Sequence, residues 1–128
     1  MNVDITPTHR GARNQASIDL ADTGPGVATL ALYTAQGGTL LCTRTLLKPC
    51  ATLDADKRIA LAQDSAAVDL VTATGDVTWA QWLDAGGTPI LGCTVTDEAG
   101  AGPIKLQGTA GTTVYEGGVV VITQVLIG

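Results

Sequence analysis

The sequence predicts an all-β domain built from short, mostly antiparallel strands. The composition gives two reasons: the 128 residues include 19 Thr and 16 Gly, and hydrophobic residues make up 45% of the chain. Thr and Val favour the pleated, half-buried surface of a sheet, and Gly supplies the turns between strands. The third reason is spacing, because short runs of two-residue periodicity alternate with turn signals after residue 24. This spacing is typical of an antiparallel sandwich or barrel.

Length and charge limit the kinds of protein that this chain can be. At 128 residues it has the size of one domain with its own core. The chain has no Phe and only two Trp and two Tyr, so Val, Leu, Ile and Ala must fill that core. The net charge of −5 and the pI of about 4.4 exclude the basic surface that nucleic-acid binding requires.

Two parts of the domain can be told apart, residues 1–23 and residues 24–128. Residues 1–11 are polar and without periodicity, which predicts an extended N-terminal arm. A short helix is predicted over 12–22, because Ala12, Ala16 and Leu20 recur every four residues and Gly24 can end it. Residues 24–128 are predicted to form the single β domain.

The strands of that domain follow from apolar alternation between turn signals. The turns include the segment Lys48-Pro49-Cys50, predicted to end a hairpin, and Gly75-Asp76, predicted to be a two-residue primed turn. The predicted strands span residues 27–33, 39–46, 59–62, 67–73, 77–83, 89–96, 104–106, 112–115 and 119–127.

Nothing in the sequence supports catalysis or a bound cofactor. His9 is the only histidine and lies in the predicted arm, where no nucleophile is held beside it. Neither Ser17 nor Ser65 stands in a GxSxG nucleophile motif. The ligand spacings of zinc and calcium sites are missing, and the carboxylates are interpreted as solvated groups in turns and loops. We therefore predict a non-enzymatic protein without catalytic, metal or cofactor residues.

The cysteines and the apolar runs of the sequence indicate in which cellular compartment the protein is expected. Cys42, Cys50 and Cys93 form no CxxC pair, and we interpret them as free buried thiols; a Cys42–Cys50 disulfide is the alternative. No apolar run approaches the roughly 20 residues that cross a bilayer, so no membrane partner is expected. Residues 1–7 lack the apolar stretch of a signal peptide, and synthesis in a cytoplasm is the expectation.

Two features indicate an interaction surface. Alternation along 77–83 points Trp79 and Trp82 to opposite faces, so one tryptophan joins the core. The other is either covered by a loop of the chain itself or anchors an interface, and Trp82 is our candidate anchor. The segment 117–128 carries no charge and is apolar on both faces, which predicts a subunit contact. Its candidate interface residues are Val119, Val120, Val121, Ile122, Val125, Leu126 and Ile127.

Several motifs resemble a family of phage head proteins. The chain has Arg13-Asn14-Gln15-Ala16, followed by GVATLALYT at 26–34 and GTLL at 38–41. A second half of the pattern is GDVTW at 75–79 and LDAGGTPI at 83–90. Over residues 13–128 the chain resembles the capsid cement, or decoration, proteins of Bordetella-type short-tailed phages. The second tryptophan and the three cysteines depart from that pattern.

The resemblance implies a jelly-roll-like β-sandwich that lies on the outside of an icosahedral capsid. There it would clamp neighbouring copies of the major capsid protein, itself as a dimer, without an active site. The implied location is the surface of the virion. The alternative interpretation is a phage tail component or a carbohydrate-binding β-sandwich module. Carbohydrate-binding modules expose several aromatic side chains on one face, whereas here the two tryptophans are predicted to lie on opposite faces.

Overall fold

The computed structural model describes residues 5–109 and 111–127. It contains one helix and nine strands in these ranges. The elements are α1 (Pro7–Ala21), β1 (Thr29–Tyr33), β2 (Leu40–Leu53), β3 (Ile59–Gln63), β4 (Gly75–Asp76), β5 (Trp79–Leu83), β6 (Pro89–Asp97), β7 (Ile104–Leu106), β8 (Thr113–Val114) and β9 (Ile122–Ile127).

Seven strands close into a barrel, in the order β1-β2-β3-β9-β7-β6-β5. Strand β1 closes it, because β1 pairs antiparallel with β2 on one side and with β5 on the other. Strands β4 and β8 form a separate two-stranded ladder. The all-β prediction is confirmed, and the one predicted helix is present as α1. The jelly-roll-like sandwich is not confirmed, because the main sheet closes on itself and so removes its open edges.

One pairing departs from the antiparallel prediction. Strands β6 and β7 run parallel, with Val95 opposite Ile104. The loop between them doubles back instead of forming a hairpin, since the Asp97 carboxylate accepts the backbone N–H groups of Ala99 and Gly100.

The core is built from small and branched apolar side chains, as the composition predicts. Trp82 is its one large aromatic member among the described residues, and Cys42 and Cys50 are buried beside the aliphatic groups. Fully buried members include Leu30, Leu32, Leu41, Leu46, Ile59, Val77 and Ile104.

Helix α1 begins at Pro7, five residues before the predicted start. The Thr6 side chain accepts the N–H of His9 at 3.2 Å, and a proline suits the first helical position. Residues 7–11 are therefore not an extended arm, and the prediction was wrong there. Gly11 is buried against the side chain of Lys57, which follows β2. Residues 1–4 of the predicted arm lie outside the described residues.

Three other predictions about strands and turns were wrong. The predicted hairpin end at Lys48-Pro49-Cys50 lies inside β2, because the register between β2 and β3 shifts between Leu46 and Ala51. A proline, which lacks an N–H, is tolerated at such an irregularity. The predicted strand 67–73 forms only a single bridge, Leu70 with Val119, and Gly75–Asp76 is strand β4 rather than a turn.

Candidate interaction surface

The two tryptophans lie on opposite faces of β5, and it is Trp82 that is inside. Its side chain is 0% exposed, whereas Trp79 is half-buried on the outer face. The proposed anchor role of Trp82 is therefore corrected, because a fully buried indole has no surface to offer a partner. Its neighbours Ala80 and Leu32 are buried with it.

The segment 119–127 divides into an inner and an outer set. Val119 and Val121 are exposed, and Leu126 is half-buried. Alternation changes phase between Ile122 and Val125, since β9 shifts register against β7 and leaves Thr123 as the extra residue. The remaining four candidates face the core: Val120, Ile122, Val125 and Ile127.

The outer valines are half of a larger surface, which we call the apolar strip and define as Val68, Leu70, Val119 and Val121. Their side chains are 77%, 52%, 64% and 48% exposed, respectively. Leu70 and Val119 are directly opposite each other in an antiparallel bridge. Val68 stands two residues before Leu70 and Val121 two residues after Val119, so both share the outward direction of the bridged pair. Grouped exposed apolar side chains of this kind commonly mark a binding surface.

Backbone hydrogen bonds fix the two segments of the apolar strip to each other. Val71 donates its N–H to the carbonyl of Gly118, and Gly117 donates to the carbonyl of Val71, both at 2.8 Å. The side chain of Val71 is buried, whereas that of the preceding Leu70 is exposed. The hydrogen bonds of the Val71 backbone keep the two side chains on opposite faces of the segment. The strip is therefore supported on a fixed backbone.

An ion pair beneath the apolar strip holds the segment of Leu70 against β2. The Asp69 carboxylate accepts Arg44 Nη1 at 2.7 Å, the Thr45 N–H at 2.8 Å and the Thr45 hydroxyl at 3.0 Å. Arg44 also donates to the carbonyl of Asp64 and to the side chain of Gln63. Both charged side chains are largely buried, at 10% and 16% exposure, and their hydrogen bonds compensate the cost of desolvation.

A small cavity of about 160 Å³ opens beside the apolar strip. Val119 and Val121 form part of its wall, together with residues of β8 and of the end of β7. Its volume is below the roughly 300 Å³ at which ligand pockets begin. A space of that size next to an apolar surface suits one inserted side chain from a partner. The cavity is lined by Leu106, Gln107, Gly111, Thr112, Thr113, Val114, Val119, Val120 and Val121.

Sequence reasoning did not single out Val68 and Leu70 as part of an exposed apolar surface. Both stood on the same side of the predicted strand 67–73, so alternation already placed them together. What the sequence could not show is that this segment lies beside residue 119, nearly fifty positions later. That contact is a tertiary pairing outside the strands of the barrel.

The cysteine thiols outside the apolar strip are protonated groups packed in the protein. Burial, followed by the charge of Asp22, raises the pKa of the Cys50 thiol to about 12, and burial raises the pKa of Cys93 to about 11. All three cysteines are free thiols, and Cys93 is half-buried rather than fully buried as predicted. Within residues 5–109 and 111–127, no three His, Cys, Asp or Glu side chains group as metal ligands. His9 is exposed on α1.

Over the described part of the chain, no helix has the length and apolar character that crossing a membrane requires. The surface that the geometry singles out is the apolar strip with its adjoining cavity. Comparison of the chain with protein-family models, with curated proteins and with solved structures gives no match.

Proposed function

We propose that this chain is a structural virion protein that binds the outside of an icosahedral phage capsid and stabilises it. In this proposal the apolar strip docks on the major capsid protein. Two observations support it: the motif resemblance described above, and a strip of four exposed apolar side chains on a rigid backbone. The observation that carries the proposal is the pairing of Leu70 with Val119, which makes two distant segments one surface.

The size of the apolar strip indicates how such binding would work. The four residues are between 48% and 77% exposed, so covering the remainder contributes on the order of 5 kcal/mol, at roughly 1.5–3 kcal/mol for each fully buried Val or Leu side chain. The loss of translational and rotational freedom on association offsets much of that energy, so one strip alone supports only weak binding. A dimer with two strips gains effective concentration once the first strip is bound to a repetitive shell. We therefore propose a dimer that clamps two neighbouring capsid proteins.

A jelly-roll-like arrangement belongs to the same proposal. Strands β3 and β9 are joined by two residue pairs, Ile59 with Ile127 and Ala60 with Leu126. Strands β1, β2, β5 and β6 pair over much longer stretches. We propose that the barrel is flattened at its weakly paired strands, so that β1, β2, β5 and β6 form one layer of a sandwich and β3, β7 and β9 the other.

Binding to isolated capsid shells tests this function. Shells assembled from the major capsid protein of the encoding phage are mixed with purified chain and sedimented. We expect saturable co-sedimentation of the native chain and at least a tenfold weaker binding of Leu70→Glu, because a charge in the contact must be desolvated. Leu20→Glu is the matched control, since Leu20 is similarly exposed, at 55%, but lies on α1.

Melting curves of both variants show whether they remain folded. The proposal is overturned if the native chain does not bind shells, or if folded Leu70→Glu binds as well as Leu20→Glu. Binding to tail tubes instead of shells would favour the alternative class, a phage tail component.

A further inference from the structure

A second surface lies on the outer face of the barrel, on strands that do not carry the apolar strip. It is a groove of about 310 Å³ across β1, β5 and β6, bounded by the turn that follows β1. Its volume lies at the lower end of the roughly 300–1,000 Å³ of small-molecule sites. The groove has room for one small ligand.

Two aromatic side chains stand next to each other in this groove. Tyr33 on β1 and Trp79 on β5 are direct partners in the antiparallel pairing of these strands. Direct partners hold their side chains on the same face, with Cβ atoms about 5 Å apart. The groove therefore presents two ring systems side by side, a platform that the separation of Trp79 from Trp82 had argued against.

Gly92 on β6 fixes the position of one of these rings. A Cβ atom at residue 92 would stand 2.5 Å from Trp79 Cζ2 and 2.8 Å from Trp79 Nε1. No side chain fits in that space while the indole occupies it. The indole thus lies directly against the backbone of β6, and its place depends on a glycine there.

The remaining polar groups of the groove are neutral. Gln36 and Gln81 line it, and no charged side chain does so among the described residues. Each glutamine amide supplies donors and an acceptor, which matches the paired donor and acceptor character of a hydroxyl group. The nearby Thr34 and Thr78 hydroxyls are engaged within the protein, where Thr34 accepts the N–H of Thr39 and Thr78 donates to the carbonyl of Thr34.

We propose that this groove binds one pyranose unit of a neutral sugar. The ring C–H groups of a pyranose form an apolar face with partial positive charge, which packs against the negative face of an aromatic ring. Its hydroxyl groups exchange hydrogen bonds with the amides of Gln36 and Gln81. A charged ligand is disfavoured, because the groove offers no counter-charge to compensate its desolvation.

The two tryptophans provide an internal control for the test. In a nitrogen-15 labelled protein, the indole N–H signals of Trp79 and Trp82 are followed during titration with glucose, galactose, mannose and their N-acetylamino forms. We expect at least one of these sugars to shift the Trp79 signal saturably and to leave that of the buried Trp82 unchanged. The proposal is overturned if no sugar shifts Trp79, or if both signals move together.

Variants locate the binding. Trp79→Ala and Gly92→Val are each expected to weaken sugar binding by roughly tenfold or more, the first by removing the ring and the second by displacing it. Tyr115→Ala is the control, because Tyr115 is an exposed aromatic residue, at 68%, outside the groove. Folding of each variant is checked by its melting curve, and equal affinity of folded Trp79→Ala and native protein would overturn the assignment.

A further comparison distinguishes a free monosaccharide from a glycan chain as the ligand of the groove. Binding of the best monosaccharide is measured against an oligosaccharide that ends in the same unit. An affinity that is equal for both assigns a single-unit site, and a higher affinity for the oligosaccharide assigns a chain that extends past the groove. Binding of Trp79→Ala to capsid shells distinguishes the groove from the apolar strip. We expect this variant to bind shells as tightly as the native chain does.

Discussion

Cys50 is a buried thiol beside the carboxylate of Asp22, and these surroundings make it unreactive. Both Asp22 carboxylate oxygens accept its backbone N–H, at 3.0 and 3.2 Å, and burial is the largest cause of the raised pKa of about 12. At pH 8 the thiolate fraction is then about one in 10⁴. Half-buried Cys93 is the thiol with access to reagents.

Thiol titration checks these surroundings. In native protein at pH 8 we expect Cys93 to react first with an alkylating reagent and Cys50 to remain unmodified. In denaturant without reductant, three free thiols per chain are expected. A count near one would show a disulfide, the alternative for Cys42 and Cys50.

The raised pKa of Cys50 also predicts how stability changes with pH. Because the folded-state pKa of about 12 lies above the unfolded value of 9.0, the unfolded chain loses the proton first. Stability is therefore complete below about pH 9 and falls as the pH rises toward 12. Cys50→Ala is expected to reduce the alkaline loss of melting temperature. An identical pH profile of variant and native protein would contradict this assignment.

Asp69 attaches the segment that carries Leu70 to strand β2, through its bonds to Arg44 and Thr45. Removing its carboxylate leaves Arg44 buried without its ion-pair partner. We expect Asp69→Ala to lower the free energy of unfolding by about 3 kcal/mol in urea denaturation, the lower end for a buried pair. Asp56→Ala, which removes an exposed carboxylate 3.4 Å from Arg58, should cost less than about 1 kcal/mol. Equal losses would mean that the Arg44–Asp69 pair does not hold the segment.

At the scale of elements, α1 is part of the packed domain. Ile18 and Ala21 are buried against the barrel, and Asn14 donates to the carbonyl of Lys57 at 2.7 Å. The sequence predicted a helix here from the spacing of Ala12, Ala16 and Leu20, but that stripe is exposed. The helix packs instead through the opposite face, which carries Gly11, Asn14, Ile18 and Ala21. Its first turn could not be predicted, because Thr6 and Pro7 act as a cap only in combination, and the docking site of Gly11 lies on a distant turn.

A pair of substitutions tests this docking. We expect Ile18→Ala to lower the free energy of unfolding by roughly 2–4 kcal/mol, since it opens a cavity under the helix. Leu20→Ala, at an exposed position of the same helix, should change it by less than about 0.5 kcal/mol. If both changes have the same small effect, α1 is detached from the barrel in solution.

The segment leading into β9 presents opposite environments at adjacent residues. Val120 is 9% exposed and Val121 is 48% exposed. Val120→Glu buries an unpaired carboxylate and is expected to unfold the chain, whereas Val121→Glu should leave the melting temperature nearly unchanged. Alternation predicted that one of these residues faces outward, but the choice of Val121 depends on the pairing of residues 69–71 with 117–119. Unfolding by both substitutions would make the segment wholly internal.

At the scale of the whole molecule, local patterns predict most strands and miss how they are joined. The short alternating runs around Thr29, Trp79 and Ile104 correspond to β1, β5 and β7. Closure depends on the contact of β3 with β9, whose paired residues are 66 and 68 positions apart, and on the parallel contact of β6 with β7. Turn signals at 97–102 indicate a reversal of the chain, but they do not determine which strand is the partner. Barrel and sandwich therefore look alike in the sequence.

The same limit applies to the candidate surfaces. The uncharged segment 117–128 identified half of the apolar strip, and its other half, Val68 and Leu70, joins it through tertiary pairing. In the same way, Tyr33 and Trp79 become neighbours only because β1 lies beside β5. Both surfaces are assembled from residues that are far apart in the chain.

Amide hydrogen exchange of the free and the shell-bound chain tests the central claim, that the apolar strip is the docking surface, most directly. The account predicts that binding slows exchange at residues 67–71 and 117–122, on both segments of the strip. The exposed face of α1 around Leu20 should exchange at the same rate in both states. Protection of α1 with unchanged exchange at 67–71 and 117–122 would contradict the account, because the shell would then contact another face of the barrel.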